Sequence, residues 1–157
     1  MKTKLDRTDY EIIKHLQNNA RISNKELANL VGLAPSSCHS RMERLRKENV
    51  ILNYYTEISP SAVGISLQAM IAVRMVHGNK EDFQVFRRHI DNLSEVVNCY
   101  HTAGREDFLI HVCVRDADHL RGMVLDQFLG RKEVEHVETF LILEYERKCS
   151  LPNYEDT

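Results

Sequence analysis

The chain has 157 residues, 43% of them hydrophobic and 28% charged, with a formal net charge of −2, which fits one mid-sized globular domain or two small ones. Six Gly and three Pro exclude a collagen-like or disordered chain. The longest uncharged stretch, Ile58 to Val73, is 16 residues and contains Pro60 and Gly64, short of the roughly 20 apolar residues that span lipid.

The start, Met1-Lys2-Thr3-Lys4-Leu5-Asp6, has no apolar core of a secretory signal. Cys38, Cys99, Cys113 and Cys149 have no CxxC spacing, as expected of reduced thiols in a cytoplasmic protein. Charge is unevenly spread. Residues 1–53 carry ten Lys/Arg against six Asp/Glu, +4, and residues 54–157 carry eleven against seventeen, −6. A basic head on an acidic body suits a polyanion contacted by one end.

Three helices are expected first. Asp6 is an N-cap, with Leu5 and Tyr10 placed to staple across it, and Ile12, Ile13 and Leu16 follow at helical spacing. Ser23-Asn24-Lys25-Glu26 reads as a capping box opening a short helix with a Leu27, Leu30, Val31 stripe, stopped by Gly32. Pro35 suits the first turn of a third helix running to about Glu48, with Asn49 in place of a terminal glycine. Two short helices joined by Gly32-Leu33-Ala34 make a helix-turn-helix. On a helical wheel Cys38, Met42 and Leu45 face the other helices. Opposite lie Ser36, Ser40 and Lys47, flanked by Ser37, Glu43 and Arg44 and, further round, Arg41. Hydroxyls near the N-terminus with arginines one and two turns on suit a helix in a DNA major groove. On this reading Arg41→Ala or Arg44→Ala weakens operator binding by about 1–3 kcal/mol without unfolding the protein.

After Leu52 the period changes to two. Tyr54, Thr56 and Ile58 alternate as a connecting strand, and Ser59-Pro60-Ser61 turns into a new unit. The expected organisation is a helix-turn-helix domain over 1–53, a linker strand and hinge over 54–64, and a second domain over 65–157. That domain reads as a strand over 67–76, a helix capped by Asn79 with Phe83, Phe86 and Ile90 as its stripe, and strands over 96–103 and 108–114. A helix over 116–129 and a strand over 137–145 follow, with a frayed tail from 151. Two βαβ halves in tandem give a ferredoxin-like βαββαβ sheet with both helices on one face, so the whole chain is α+β. Strands such as LQAMIAV and FLIL are apolar on both sides, so the naked face is expected to be covered by a second copy.

No GxSxG, HExxH, Walker loop or GxGxxG is present, so no enzymatic activity and no cofactor is expected. Cys99, His101, His111 and Cys113 would share one face, and so offer a zinc shell, only if 99 pairs with 113. A four-residue loop over 104–107 pairs 103 with 108, splits the set between faces and gives the cleaner apolar face. In that loop Gly104 can take positive φ and expose backbone N–H groups, with the Asp107 carboxylate three residues on. Such a pair suits the carboxylate and ammonium of a free amino acid. By themselves the residues favour the plainer reading, a tight hairpin whose Gly and Asp serve turn geometry with no ligand.

The run Leu5-Asp6-x-x-Asp9, Arg21-Ile22-Ser23-x-x-Glu26-Leu27-Ala28, Val31-Gly32-Leu33, Arg41-x-x-x-Leu45 and Val50-Ile51 resembles the Lrp/AsnC, or feast/famine, regulators. So do Gly104-x-x-Asp107 and the strand at Thr139. The resemblance spans about residues 5–147 and implies a cytoplasmic transcription regulator that binds double-stranded promoter DNA. By this resemblance DNA would meet Ser36, Ser37, Ser40, Arg41 and Arg44, and an amino acid or similar effector would meet Ala103, Gly104, Arg105, Asp107 and Thr139. It further implies homodimers assembling to tetramers, octamers or larger rings, with no membrane contact. Ala34 stands where a capping Ser or Thr is usual, Ala103 where Thr is usual, and Glu133-Val134 where Pro-Gly is common. The alternative is a metabolite-binding interaction module that does not bind DNA.

Overall fold

The computed structural model describes residues 4–76, 80–148 and 150–153. The chain divides into two compact units. One reaches to Glu57 and takes in the residues after Tyr145, and the other runs from Ile58 to Tyr145. The expected boundaries shift accordingly, and the described residues beyond 145 group with the first unit instead of extending the second to 157. Asn79, Cys149 and the last four residues lie outside the described residues.

In the first unit α1 (Arg7–Asn18), α2 (Asn24–Leu30) and α3 (Pro35–Lys47) enclose Ile12, Leu16, Leu27, Ala28, Cys38 and Leu45, all buried. The reciprocal capping box forms at α1. Asp6 Oδ1 accepts from the Asp9 N–H at 2.9 Å and Asp9 Oδ2 from the Asp6 N–H at 3.0 Å. At α2 only half of the expected box forms, with Ser23 Oγ accepting from the Glu26 N–H at 3.1 Å. Gly32 (φ 68°) and Asn49 (φ 57°) supply the left-handed residues after α2 and α3, as their places in the sequence suggest. Ala34 gives α3 no side-chain cap. Asn24 Nδ2, which donates to the Pro35 carbonyl at 2.9 Å, ties the two helix starts together.

The second unit opens on a 3₁₀ turn, Pro60–Val63. It then builds β1 (Leu67–Met75), α4 (Lys80–Ile90), β2 (Val96–His101), β3 (Phe108–Val114), α5 (Ala117–Val124) and β4 (Val134–Leu141). The sheet order is β2-β3-β1-β4, antiparallel throughout, which is the ferredoxin-like arrangement. Phe86 and Ile90 of α4, with Leu120, Met123 and Phe128 that follow, bury one face of the sheet against Ile71, Val73, Phe108, Ile110 and Val112.

Four expectations change in detail. The connecting strand over 54–58 is not a strand, because no neighbouring strand of the described chain offers it a ladder. The final strand starts earlier than 137, at Val134 opposite Met75 where β1 ends, and stops at Leu141 opposite Ala69. The helix over 116–129 is α-helical only to Val124 and widens into a π turn over Leu125–Leu129. The β2–β3 hairpin pairs His101, not Ala103, with Phe108, so its loop has six residues.

Candidate nucleic-acid interface and effector loop

Helix α3 offers solvent one continuous face. Ser36, Ser37, His39, Ser40 and Lys47 are exposed while Cys38 and Leu45 are buried, so the serines stand where the wheel places them. His39 joins them although the sequence reading passed over it; its place one turn before Glu43 was the available signal. With Ala34 providing no cap and no acid in the first turn, the first N–H groups of α3 keep their capacity for an anion.

The two arginines are placed differently. Arg41 Nη1 donates to Asp6 Oδ2 at 2.6 Å and to Asp9 Oδ1 at 2.9 Å, and Arg44 Nη2 donates to Asp9 Oδ2 at 2.5 Å. The Asp9 side chain is only 1% exposed, against 32% and 38% for the two arginines. Both guanidiniums therefore turn from the serine face toward α1, and their first task is to neutralise a buried carboxylate. Sequence reasoning placed them as free DNA contacts. Burial opposes ionisation of Asp9, but hydrogen bonds from Arg44, the Asp6 backbone and Arg41 overcome it and hold its pKa below the usual aspartate value. The bond from Arg41 lowers that of Asp6 likewise.

A lowered folded-state pKa stabilises fully above the unfolded value of about 3.9, and that contribution is lost as pH falls through the folded value. The urea midpoint of the first unit is therefore expected to drop below about pH 4. In Asp9→Asn the drop should be smaller, and an identical acid profile in the two proteins would separate acid sensitivity from this cluster.

The six-residue loop between β2 and β3 brings together Ala103, Gly104, Arg105 and Asp107. Gly104 does not use the left-handed region, which among the described glycines is occupied by Gly32 and Gly64. A longer loop does not force the turn. It is closed instead by the Thr102 N–H bonding to the Asp107 carbonyl at 2.8 Å and by Thr102 Oγ1 donating to the Glu106 carbonyl. The Asp107 N–H donates to the Val73 carbonyl at 2.9 Å, and its Oδ2 accepts from the Met75 N–H at 2.8 Å. One carboxylate oxygen is thus committed to the end of β1. Arg105 stays exposed, its side chain 3.4 Å from Glu106. Thr139 pairs with Ile71 on the far side of β1, away from the loop, so this chain alone does not bring it to the other four.

Cys99 and His101 lie opposite Ile110 and Phe108, on the helix-covered face, while His111 and Cys113 lie on the other. The four side chains are split between the two faces. That other face carries Met70, Ala72, Leu109 and Cys113, with Tyr100 and Phe140 about half exposed. His111 is buried on it, its Nε2 2.9 Å from Gln68 Oε1 and its ring 5.3 Å from that of Tyr145. Burial pushes its pKa down.

Comparison with known proteins matches both units. Residues 5–51 fit a winged helix-turn-helix DNA-binding model, and residues 68–149 the Lrp/AsnC ligand-binding domain. The HTH-type transcriptional regulator AldR of Mycolicibacterium smegmatis is 40% identical over 146 residues, covering 93% of this chain and 85% of that protein. The leucine-responsive regulatory protein of Escherichia coli K12 is 30% identical over 140 residues, covering 89% and 85%. A transcriptional regulator of Neisseria meningitidis, solved as its complex with L-methionine, superposes with a TM-score of 0.89 at 31% identity, covering 95% of this chain and 97% of that one.

Proposed function

Because the chain belongs to the Lrp/AsnC family of transcriptional regulators, we propose that it lays α3 in the major groove of promoter DNA and changes its binding or assembly with an amino acid effector. The observation that carries the DNA reading is the exposed, serine-rich start of α3 with its uncapped N–H groups. Ser36, Ser37 and Ser40 approach phosphates and base edges there, with His39 beside them. Arg41 and Arg44 serve the same surface by fixing α3 on α1 through Asp9. The protein acts by binding and not by turnover, in the cytoplasm.

Affinity for a duplex operator, followed by fluorescence anisotropy, is expected to fall steeply between 50 and 200 mM salt, on the order of 10³-fold for about six phosphate contacts. Ser40→Asp, which sets a carboxylate against phosphate, should weaken binding at least about tenfold with an unchanged unfolding midpoint. Salt-insensitive or absent duplex binding by the wild-type chain would leave the metabolite-binding module as the better reading.

The effector, we propose, sits at the 102–107 loop, its carboxylate at the Ala103–Arg105 backbone and the Arg105 guanidinium, its ammonium at the Asp107 oxygen not used by Met75. The methionine complex of the Neisseria relative supports an amino acid ligand. Thr139 of a neighbouring copy would complete the site. Asp107→Asn keeps an oxygen for the Met75 N–H and removes only the charge. It is expected to abolish the heat of amino acid binding in calorimetry and leave operator affinity unaltered. Undiminished heat across the twenty amino acids would remove Asp107 from the site.

The half-apolar open face of the sheet supports a two-fold dimer formed through it. Such dimers would present paired α3 helices to two half-sites and leave the hairpin loops free for further assembly.

A further inference from the structure

Beside α4, on the helix-covered side of the sheet, lies a groove of about 510 Å³, within the 300–1,000 Å³ typical of small-molecule sites. Its floor is three rings in mutual contact. His101 stacks on Phe108 at 4.8 Å between centroids and 19° between planes, and Phe83 lies 5.4 Å from His101 and 5.9 Å from Phe108. Its rim is basic, with Lys80 and Arg88 rising from α4 beside Gln84, and no carboxylate lines it among the described residues. Arg87, also on the rim, is engaged by Asp91 at 3.1 Å. Arg88 differs: its Nε meets only the Gln84 carbonyl of its own helix, at 3.3 Å, and it has no carboxylate partner among the described residues.

A ring floor with an unneutralised guanidinium at its edge selects for a planar group carrying one anionic head. The ring lies on Phe83 and His101, and the carboxylate takes paired N–H bonds from Arg88. A zwitterionic amino acid would bring an ammonium to a rim of three cations, Lys80, Arg87 and Arg88, with the uncharged Gln84 amide among them and no carboxylate from the described residues. A nucleobase would bring several donors and acceptors to a groove whose uncharged polar side chains, among the described residues, are Gln84 and the stacked His101 ring. We propose that this groove binds an aromatic carboxylate without an ammonium group, of the aryl 2-oxo acid class, as a second ligand distinct from the amino acid at the 102–107 loop.

Phenylpyruvate titrated into the full-length protein is the test, with calorimetry for affinity and the His101 ring proton resonances for location. Saturable binding that moves the His101 signals is expected, at least tenfold tighter than phenylalanine at the same resonances. Arg88→Gln, on the exposed face of α4, should weaken phenylpyruvate at least tenfold while its melting temperature and operator affinity stay at wild-type values. No saturable binding, equal affinity in Arg88→Gln, phenylalanine matching phenylpyruvate at His101, or equally tight inorganic phosphate would each overturn the assignment. Because His101 and Phe108 flank the loop, the phenylalanine comparison is made in Asp107→Asn, whose loop has lost its ammonium partner, so that an amino acid bound there does not register at His101.

Discussion

Replacing Arg41 and Arg44 together by alanine is expected to destabilise the helix-turn-helix unit by about 3–5 kcal/mol, the cost of leaving a buried carboxylate without its partners. Asp9 is fully enclosed, and besides the Asp6 N–H these two guanidiniums are its hydrogen-bonding partners across the interface between α1 and α3. Either single variant leaves one arginine in place, so each should cost well under half of the double change. The two together should cost more than the sum, because the second removal exposes the unpaired charge. In a unit this small, each kcal/mol moves the melting temperature by roughly 4–8 °C, so the double variant should be largely unfolded where the wild type is intact. Urea unfolding followed by circular dichroism decides the matter. A double variant with wild-type stability and weakened operator binding would restore both arginines to the DNA surface as simple contacts.

The sequence contained the signal for that cluster. Asp9 precedes Ile12, Ile13 and Leu16 by three, four and seven positions, so it belongs to the apolar stripe of α1, where an acid requires partners. On α3, Arg41 lies about 140° from Ser36 at 100° per residue, midway between Ser37 and Leu45 at about 40° from each. The wheel thus leaves Arg41 at the border between the serine face and the packed face, and the buried Asp9 carboxylate decides which way its guanidinium turns. The hairpin teaches a different lesson. Its register is two residues from the expected one, yet Cys99 and His101 still share the face of Phe108 and Ile110, because side chains alternate with period two and an even shift preserves faces. Faces were therefore legible where loop length was not. The start of β4 was not legible, since it pairs as far as Met75, the end of β1, about 60 residues earlier in the chain. The position of Thr139 relative to the loop depends likewise on strand order, which local pattern does not carry.

Leu109→Glu is expected to convert the protein to a monomer and to reduce operator affinity by about 100-fold or more, the avidity a second half-site supplies. Leu109 pairs with Tyr100 on β2 and with Ala72 on β1, in the interior of the open sheet face, with Met70 and Phe140 on the same surface. In the isolated subunit its side chain is only partly buried, so a carboxylate there keeps its water and folding changes little. In a dimer closed through this face the two-fold repeats the substitution and both carboxylates lose water, which costs several kcal/mol per charge, because the bases nearest on that face are already engaged: burial pushes the pKa of His111 down, and Arg74 is paired with Glu135 at 3.1 Å. Light scattering should report one chain's mass, while circular dichroism and the melting temperature of the second unit stay near wild type. The salt dependence of DNA binding should flatten to about half, because one helix-turn-helix unit in place of two releases half the counterions. A dimeric mass retained by Leu109→Glu would place the interface elsewhere on the chain, and the apolar open face would then need a different occupant.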